Sequence, residues 1–429
     1  MKIRYDSDIK ETIYEKRMSN GLQVFLLPKA KFQKFYGIIG VNFGSLDTCY
    51  KKDGKLYKVK DGSAHFLEHK MFESSLGDYD DLFSKYGATT NAFTSLTQTN
   101  YLFECDSHLN ECIKLLLDMV SKLEISKESI EKEKGIIIEE IHSYDDDYSW
   151  VSYFKNISNL YYEHPITIDV AGSEESVKNM LPSDLQQCFD AFYHPANMVL
   201  FVTGPLNGNE TMEMIEQYTT TLKYSPYTIE KVIDYHEKDT VYKKEEIIYR
   251  DIALEKINLS IKIKQDDNDP KKILKKEIGM NILLDIYFAK SSLNYLDWLN
   301  RGIINDSFGY SYSQGRDYSY LQLELESENI EQFEKEVIFF LNDLEAFKVT
   351  DEDFEVQKRK NIGYLISMFN YPDGIANTFV RYYFDRIDAF DLLKEAKTIT
   401  KEEVLSYRHL LDTENISICK VKKKSFTKK

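Results

Sequence analysis

The pentapeptide His65-Phe66-Leu67-Glu68-His69 constrains the local structure of this chain more than any other segment. Residues four apart lie one turn apart on the same face of a helix, so a helix here would bring both histidines to one metal ion. Glu68 shares that face and is placed to take a proton from an attacking water. The pattern H-x-x-E-H is an inverted zinc-peptidase motif. The alternative is an exposed helix face with two ordinary histidines, and a third ligand decides between them.

Residues 130–141 supply the candidates for that third ligand. A catalytic zinc takes three protein ligands and keeps a fourth position open. The apolar residues of this segment recur at helical spacing, after an N-cap at Ser126. Glu133 and Glu140 are seven residues apart and share one helix face, whereas Glu139 points roughly 100° away from Glu140. Helical geometry alone does not choose between Glu139 and Glu140.

The chain is too long for one core: 429 residues, at about 100–200 per domain, predict two or three domains. Residues 224–240 lose all periodicity and contain Ser225-Pro226, which indicates a linker. The linker separates a first, zinc-binding catalytic domain at residues 1–223 from a second, non-catalytic domain at residues 241–429.

Both halves mix strand and helix patterns, which predicts an α+β fold. In the first half we expect strands at 22–28, 36–43 and 198–202 and a helix at 109–123. In the second half we expect a strand at 257–263, helices at 271–288 and 330–346, and a Tyr-rich strand pair at 308–312 and 318–325. Each half ends in a helix, a turn and a strand, which indicates a duplicated unit.

Charge and composition exclude several classes of protein. A net charge of −16 argues against nucleic-acid binding, which needs a basic surface; the acidic excess serves either solubility or a cavity that attracts basic peptides. The five cysteines form no C-x-x-C pair and indicate a reducing compartment. No apolar run approaches the ~20 residues of a membrane span, and the N-terminus has no signal-like apolar region. We therefore expect a cytoplasmic protein.

The motif and the pair Glu133-x6-Glu140 together resemble the pitrilysin/insulinase family of zinc metallopeptidases. In that family the second of two glutamates spaced by seven completes the metal site, and Glu140, 71 residues after His69, matches it. The resemblance implies one zinc per chain on His65, His69 and Glu140, with Glu68 as the catalytic base and Glu133 in support. Further matching segments are Gly44-Ser45, residues 87–94, His164-Pro165, Ala171-Gly172 and residues 193–198.

The resemblance also implies a substrate-binding edge strand at Asn91, Ala92, Phe93 and Thr94, to which a peptide adds as an extra strand. Asn91 and Phe93 would face one way, and Ala92 and Thr94 the other. Without the resemblance, an ordinary protected edge is the preferred interpretation.

In the second half the family has an Arg and a Tyr seven residues apart that reach the substrate. Here Phe308 stands seven residues after Arg301, and Tyr310 follows two positions later. We assign Arg301 and Tyr310 to substrate contact, with a packing role as the alternative.

Within the family, the chain most resembles the small bacterial insulinase-like peptidases, which occur in pairs with a sister lacking the zinc motif. They imply two similar domains, each a mostly antiparallel sheet with helices packed on it, that form half of a clamshell. We therefore predict a zinc metalloendopeptidase that cleaves peptides or small unfolded or precursor segments in a chamber formed with a second chain, identical or sister. The alternative is a structural or peptide-binding subunit of such a heterodimer, without turnover of its own.

Overall fold

Strands and helices alternate irregularly along residues 1–222, 224–265 and 268–424, the part of the chain that the computed structural model describes. The strands are β1 (Lys2–Asp6), β2 (Glu11–Arg17), β3 (Gln23–Pro28), β4 (Phe35–Val41), β5 (Cys49–Lys52), β6 (Lys55–Lys58), β7 (Thr89–Thr94), β8 (Thr99–Cys105), β9 (Met198–Gly204), β10 (Glu230–Lys231), β11 (Glu245–Arg250), β12 (Glu255–Lys262), β13 (Gly309–Gly315), β14 (Tyr318–Ser327) and β15 (Ile416–Lys423). The helices are α1 (Ser63–Lys70), α2 (Tyr79–Ser84), α3 (Leu109–Met119), α4 (Lys127–Asp145), α5 (Tyr148–Leu160), α6 (Glu174–Lys178), α7 (Pro182–Phe192), α8 (Gly208–Thr219), α9 (Pro270–Phe288), α10 (Leu293–Asn300), α11 (Ile330–Asn342), α12 (Asp351–Met368), α13 (Pro372–Phe384), α14 (Ala389–Thr398) and α15 (Lys401–Ser406).

These elements form two units that interleave along the chain. The first unit comprises Met1–Ile141, Ile168–Asp234 and Ile366–Phe390, and the second comprises the remaining described residues. The change of unit after Asp234 falls inside the predicted linker, part of which forms β10 and pairs with β5. Two segments belong to a different unit from their neighbours in the predicted division. Residues 142–167 belong to the second unit, because α5 packs on the second sheet, and residues 366–390 belong to the first, because α13 packs on the first sheet. The predicted domain boundaries at residues 223 and 241 divide the chain by sequence order alone and stay a prediction.

The first unit is built on a seven-stranded sheet in the order β1-β2-β3-β9-β4-β8-β7. Its strands pair antiparallel except β3 with β9. Both faces of β9 are covered, so every residue of this strand is buried. Leu200 and Val202 join the core beneath α1 and α3, while Phe201 packs on Phe379 of α13, with ring centroids 4.7 Å apart. Alternate residues of a strand point to opposite faces, which explains its continuous apolar sequence.

The second unit is built on a five-stranded sheet in the order β11-β15-β12-β14-β13. Only β11 and β15 pair parallel among its described strands. Helix α5 packs on β12 and β15 through buried polar side chains that are hydrogen-bonded: Asn258 donates to Ser152 Oγ at 2.7 Å, and Asn156 donates to the Ser417 carbonyl at 3.0 Å. Both units are thus antiparallel-rich sheets covered by helices, which confirms the α+β fold class.

Most predicted elements are confirmed by β3, β4, β9, α3, β12, α9 and the β13–β14 pair. The helix expected over 330–346 ends at Asn342, where the chain turns tightly and the Asp343 N–H bonds to the Phe340 carbonyl. The five cysteines are buried free thiols. Within the described ranges, no helix is long and apolar enough to cross a membrane.

Gly62 starts the helix that carries the pentapeptide, and its backbone conformation requires glycine. Its φ is +80°, and a Cβ here would come within 2.4 Å of the Ala171 carbonyl oxygen. We expect Gly62→Ala to destabilise the protein by more than the ~1–2 kcal/mol of a left-handed backbone alone, because the carbonyl cannot move away freely. Gly54→Ala is the matched control, since Gly54 has a φ of +77° but no neighbour within 4 Å. Urea unfolding followed by circular dichroism compares the two, and equal midpoints would contradict the steric account.

Candidate metal centre

Helix α1 holds His65 and His69 on one face while its other face is fixed in the core. Phe66 and Leu67 are fully buried in the hydrophobic cluster under the first sheet. This anchoring sets the rotation of the helix, and the two imidazole rings consequently lie with centroids 4.7 Å apart at an interplanar angle of 64°. The helix predicted for the pentapeptide is confirmed.

Helix α4 brings the carboxylates. Ser126 Oγ accepts a hydrogen bond from the Ser129 N–H at 3.0 Å, which is the predicted N-cap, and Ile130 and Ile137 are fully buried. Glu133 and Glu140 follow on the face turned toward α1, whereas Glu139 is exposed.

Glu140 meets both histidines. Glu140 Oε1 lies 3.7 Å from His65 Nε2, and Glu140 Oε2 lies 3.6 Å from His69 Nε2. One ligand atom from each of the three residues lies within 4.8 Å of the other two, an arrangement that could hold a metal ion.

The donor set fits zinc. Two imidazole nitrogens and one carboxylate oxygen are the ligands of one common kind of catalytic zinc site. Burial, with the neighbouring His69 charge, lowers the pKa of His65 to about 4, so this imidazole is neutral at pH 7 and can offer a lone pair. His65 Nδ1 is buried without a hydrogen-bond partner among the described residues, so the polar contact of this ring lies on its Nε2 side.

Glu133 contacts the His69 ring at Nδ1, the nitrogen on the side away from Glu140. Glu133 Oε1 lies 3.0 Å from His69 Nδ1, and this hydrogen bond, more than the nearby charge of Lys70, lowers the pKa of Glu133 although the side chain is buried. Burial opposes a charge on His69, but the hydrogen bond to Glu133 and the charges of Glu68 and Glu133 raise the pKa of His69 overall. An ionised Glu133 accepts the Nδ1 proton and leaves Nε2 facing Glu140.

Glu68 is the remaining acidic group of the site. Its carboxylate accepts a hydrogen bond from Thr94 Oγ1 at 2.5 Å. Burial raises the pKa of Glu68, although the Thr94 hydrogen bond and the charge of His69 oppose the shift. A carboxylate that is buried and has a raised pKa is a stronger proton acceptor than a solvated one.

Strand β7 carries Thr94 and lies at the edge of the seven-stranded sheet, paired with β8. Asn91 and Phe93 are exposed, while Ala92 and Thr94 are partly buried, as the alternation predicted. The Ala92 N–H donates to the Asn91 side chain at 2.8 Å, so this side chain covers a backbone donor at the open edge.

Arg301 and Tyr310 lie in the second unit, and each has local partners. Arg301 forms ion pairs with Asp297 at 2.9 Å and with Glu336. Tyr310 donates to Asp285 Oδ1 at 2.6 Å, and burial together with this carboxylate raises the pKa of the phenol. Substrate contact by either residue stays a prediction.

Lys70 was not predicted from the sequence as a site residue; it lies directly after His69 and is fully buried. Its Nζ lies 3.5 Å from Glu133 Oε2 and also bonds to Glu73 and Ser129. The available signal was the i, i+3 spacing of Lys70 and Glu73, which is usually a surface pair.

Two family descriptions match consecutive parts of the chain. Insulinase (Peptidase family M16) matches residues 52–172, and Peptidase M16 inactive domain matches residues 180–361. The Bacillus subtilis protein "Uncharacterized zinc protease YmfH" is 35% identical over 427 residues, which are 99% of this chain and 99% of that protein.

Solved structures share the fold. A putative M16-like peptidase from Alicyclobacillus acidocaldarius superposes with a TM-score of 0.90 and 26% identity, over 96% of this chain and 99% of that one. The periplasmic protease PqqL from Escherichia coli has a TM-score of 0.74 and 16% identity, over 98% of this chain but 48% of that one.

The geometry predicts different zinc affinities for three glutamine variants on α4. Glu140→Gln should lose zinc most, because it removes a predicted ligand, and Glu139→Gln should retain it, because Glu139 is exposed. Glu133→Gln should fall between the two, at about 10–100-fold weaker binding, because it releases the His69 ring. Zinc content after dialysis against a mild chelator measures all three. Equal retention by the Glu139 and Glu140 variants would show that α4 presents a different face.

Proposed function

Since this chain belongs to the insulinase family, peptidase family M16, we propose that it is a zinc-dependent endopeptidase. The observation that carries the proposal is the convergence of His65, His69 and Glu140 from two helices, with Glu68 beside them. These three residues would hold one zinc ion per chain, and zinc supplies Lewis-acid chemistry that makes water nucleophilic near neutral pH. Relatives named zinc proteases support this assignment.

Glu68 is the proton carrier of the proposed reaction. It accepts a proton from the attacking water and returns it to the amine of the departing peptide. Thr94 orients the Glu68 carboxylate for this transfer through the hydrogen bond from its hydroxyl group. Glu133 keeps His69 in the orientation that faces Glu140.

The proposed substrate is an extended peptide that adds to β7. Asn91, Ala92, Phe93 and Thr94 would bind it, the main chain through strand pairing and Phe93 through its exposed ring. Pairing through the backbone is independent of side chains, so it suits peptides and small unfolded or precursor segments. Arg301 and Tyr310 are proposed to contact the substrate from the second unit.

The proposed active form contains a second chain. This chain aligns with 48% of PqqL, so that longer polypeptide has room for a second half beside the aligned one. A second copy, or a sister lacking the zinc motif, would complete a chamber in the cytoplasm. The second candidate function is a non-catalytic, peptide-binding subunit, which the match of residues 180–361 to an inactive domain favours.

Glu68→Gln distinguishes these two functions. We expect peptide cleavage to fall by about 10²–10⁴-fold, because the variant loses the proton acceptor. Zinc content should stay at the wild-type level, because every ligand remains. Glu139→Gln is the control, since it removes an exposed carboxylate of the neighbouring helix. Wild-type turnover in the Glu68→Gln protein would exclude Glu68 as the base, and a zinc-loaded wild type without activity in the presence of a partner would favour the binding subunit.

Dilution of the protein tests whether cleavage requires a second chain. Cleavage per chain should fall as the protein is diluted through its dissociation range, because one chain supplies only one wall of the proposed chamber. Sedimentation under the same conditions reports the fraction of monomer, and adding a sister chain should restore activity if the natural pair is mixed. Full activity in a sample shown to be monomeric would contradict the chamber but leave the zinc site standing.

A further inference from the structure

Lys70 is a fully buried lysine at the end of α1, with 0% of its side chain exposed. An ammonium group has three N–H donors and no acceptor. Lys70 Nζ meets three oxygens: the Glu73 carboxylate, the Ser129 hydroxyl, and Glu133 Oε2 at 3.5 Å. Each donor therefore has an acceptor, which compensates the burial of the charge.

These contacts join Lys70 to the metal centre through one carboxylate. Glu133 Oε2 faces Lys70, and Glu133 Oε1 lies 3.0 Å from His69 Nδ1. Ser129 and Glu133 are four residues apart, one turn of α4, and Glu140 follows seven residues later on the same face. Lys70 thus holds two successive turns of α4 against the end of α1.

We propose that Lys70 is a positioning residue for the metal centre: it holds Glu133 against His69 and sets the register in which α4 presents Glu140. This role rests on the proposed zinc site and concerns the affinity of the chain for zinc. Without the ammonium, the Glu73 and Glu133 carboxylates lose the cation between them. Ser129 would keep its hydrogen bond to Glu73, but among the described contacts Glu133 would be held toward α1 by the His69 hydrogen bond alone.

Lys70→Met tests the role in the full-length chain. Zinc dissociation constants are measured by competition with a chromogenic chelator, and circular dichroism of the metal-free proteins checks that they fold. We expect zinc binding by Lys70→Met to weaken by about 10–100-fold, the usual effect of losing a partner behind a ligand. Lys70→Arg should retain most of the affinity, because it keeps the charge at the same place.

Lys134→Met is the matched control. Lys134 is also buried, at 9% exposure, and lies one residue after Glu133, but its ion pair is with Glu131 at 2.7 Å. This variant should bind zinc like the wild type. If Lys70→Met does not fold, Lys70→Gln carries the test, since its amide can still donate hydrogen bonds and it differs mainly in charge.

A double-mutant cycle identifies the path of the effect. If Lys70 acts through Glu133, Lys70→Met should weaken zinc binding far less in a Glu133→Gln background than in the wild type. Equal losses in both backgrounds, or unchanged affinity in Lys70→Met, would overturn the role while the proposed function stands. A wild-type chain that binds no zinc would overturn both.

Discussion

The candidate metal centre depends on the side-chain contacts between α4 and α1. Neither helix contains all three candidate ligands: α1 carries the two histidines and α4 carries Glu140. Sliding α4 by one turn would move Glu140 about 5.4 Å, whereas its oxygens now lie 3.7 and 3.6 Å from the two imidazoles. The register is held by the burial of Ile130 and Ile137 and, on the adjoining part of the same helix face, by the Glu133 contacts.

Glu133 and Glu68 have different surroundings, which suit the two carboxylates to different roles. Glu133 lies between a histidine and a buried lysine, and its pKa is lowered, so it stays ionised and keeps orienting His69. Among the described residues no lysine pairs with Glu68; burial raises the pKa of Glu68, while the Thr94 hydroxyl keeps it hydrogen-bonded. Two identical side chains thus acquire opposite shifts from their neighbours, which is how one site can hold both a fixed anion and a proton acceptor.

Elements with strong local patterns could be predicted from the sequence. The helix of the pentapeptide, the α4 face with Glu133 and Glu140, and the apolar strands can all be inferred from the spacing of polar and apolar residues within each segment. The contacts between elements that are distant in the sequence could not be predicted in this way. Nothing local to residues 366–390 shows that α13 packs on the first sheet, and a lysine after a motif normally indicates a solvated residue, so the burial of Lys70 depends on partners 59 and 63 residues away.

The edge strand connects peptide binding to proton transfer in the proposed mechanism. Thr94 belongs to β7 and bonds to Glu68, so the strand that would receive the peptide is also the strand that holds the base. The Asn91 side chain occupies the Ala92 N–H at this open edge, so this donor is not left open to another chain. An added peptide that pairs at this N–H must displace Asn91, and its own carbonyl then replaces the side-chain oxygen. The exchange conserves the hydrogen bond, so affinity would depend mainly on the remaining pairs along β7 and on contacts such as Phe93. The strand would therefore bind most tightly those peptides that can lie extended along several of its residues.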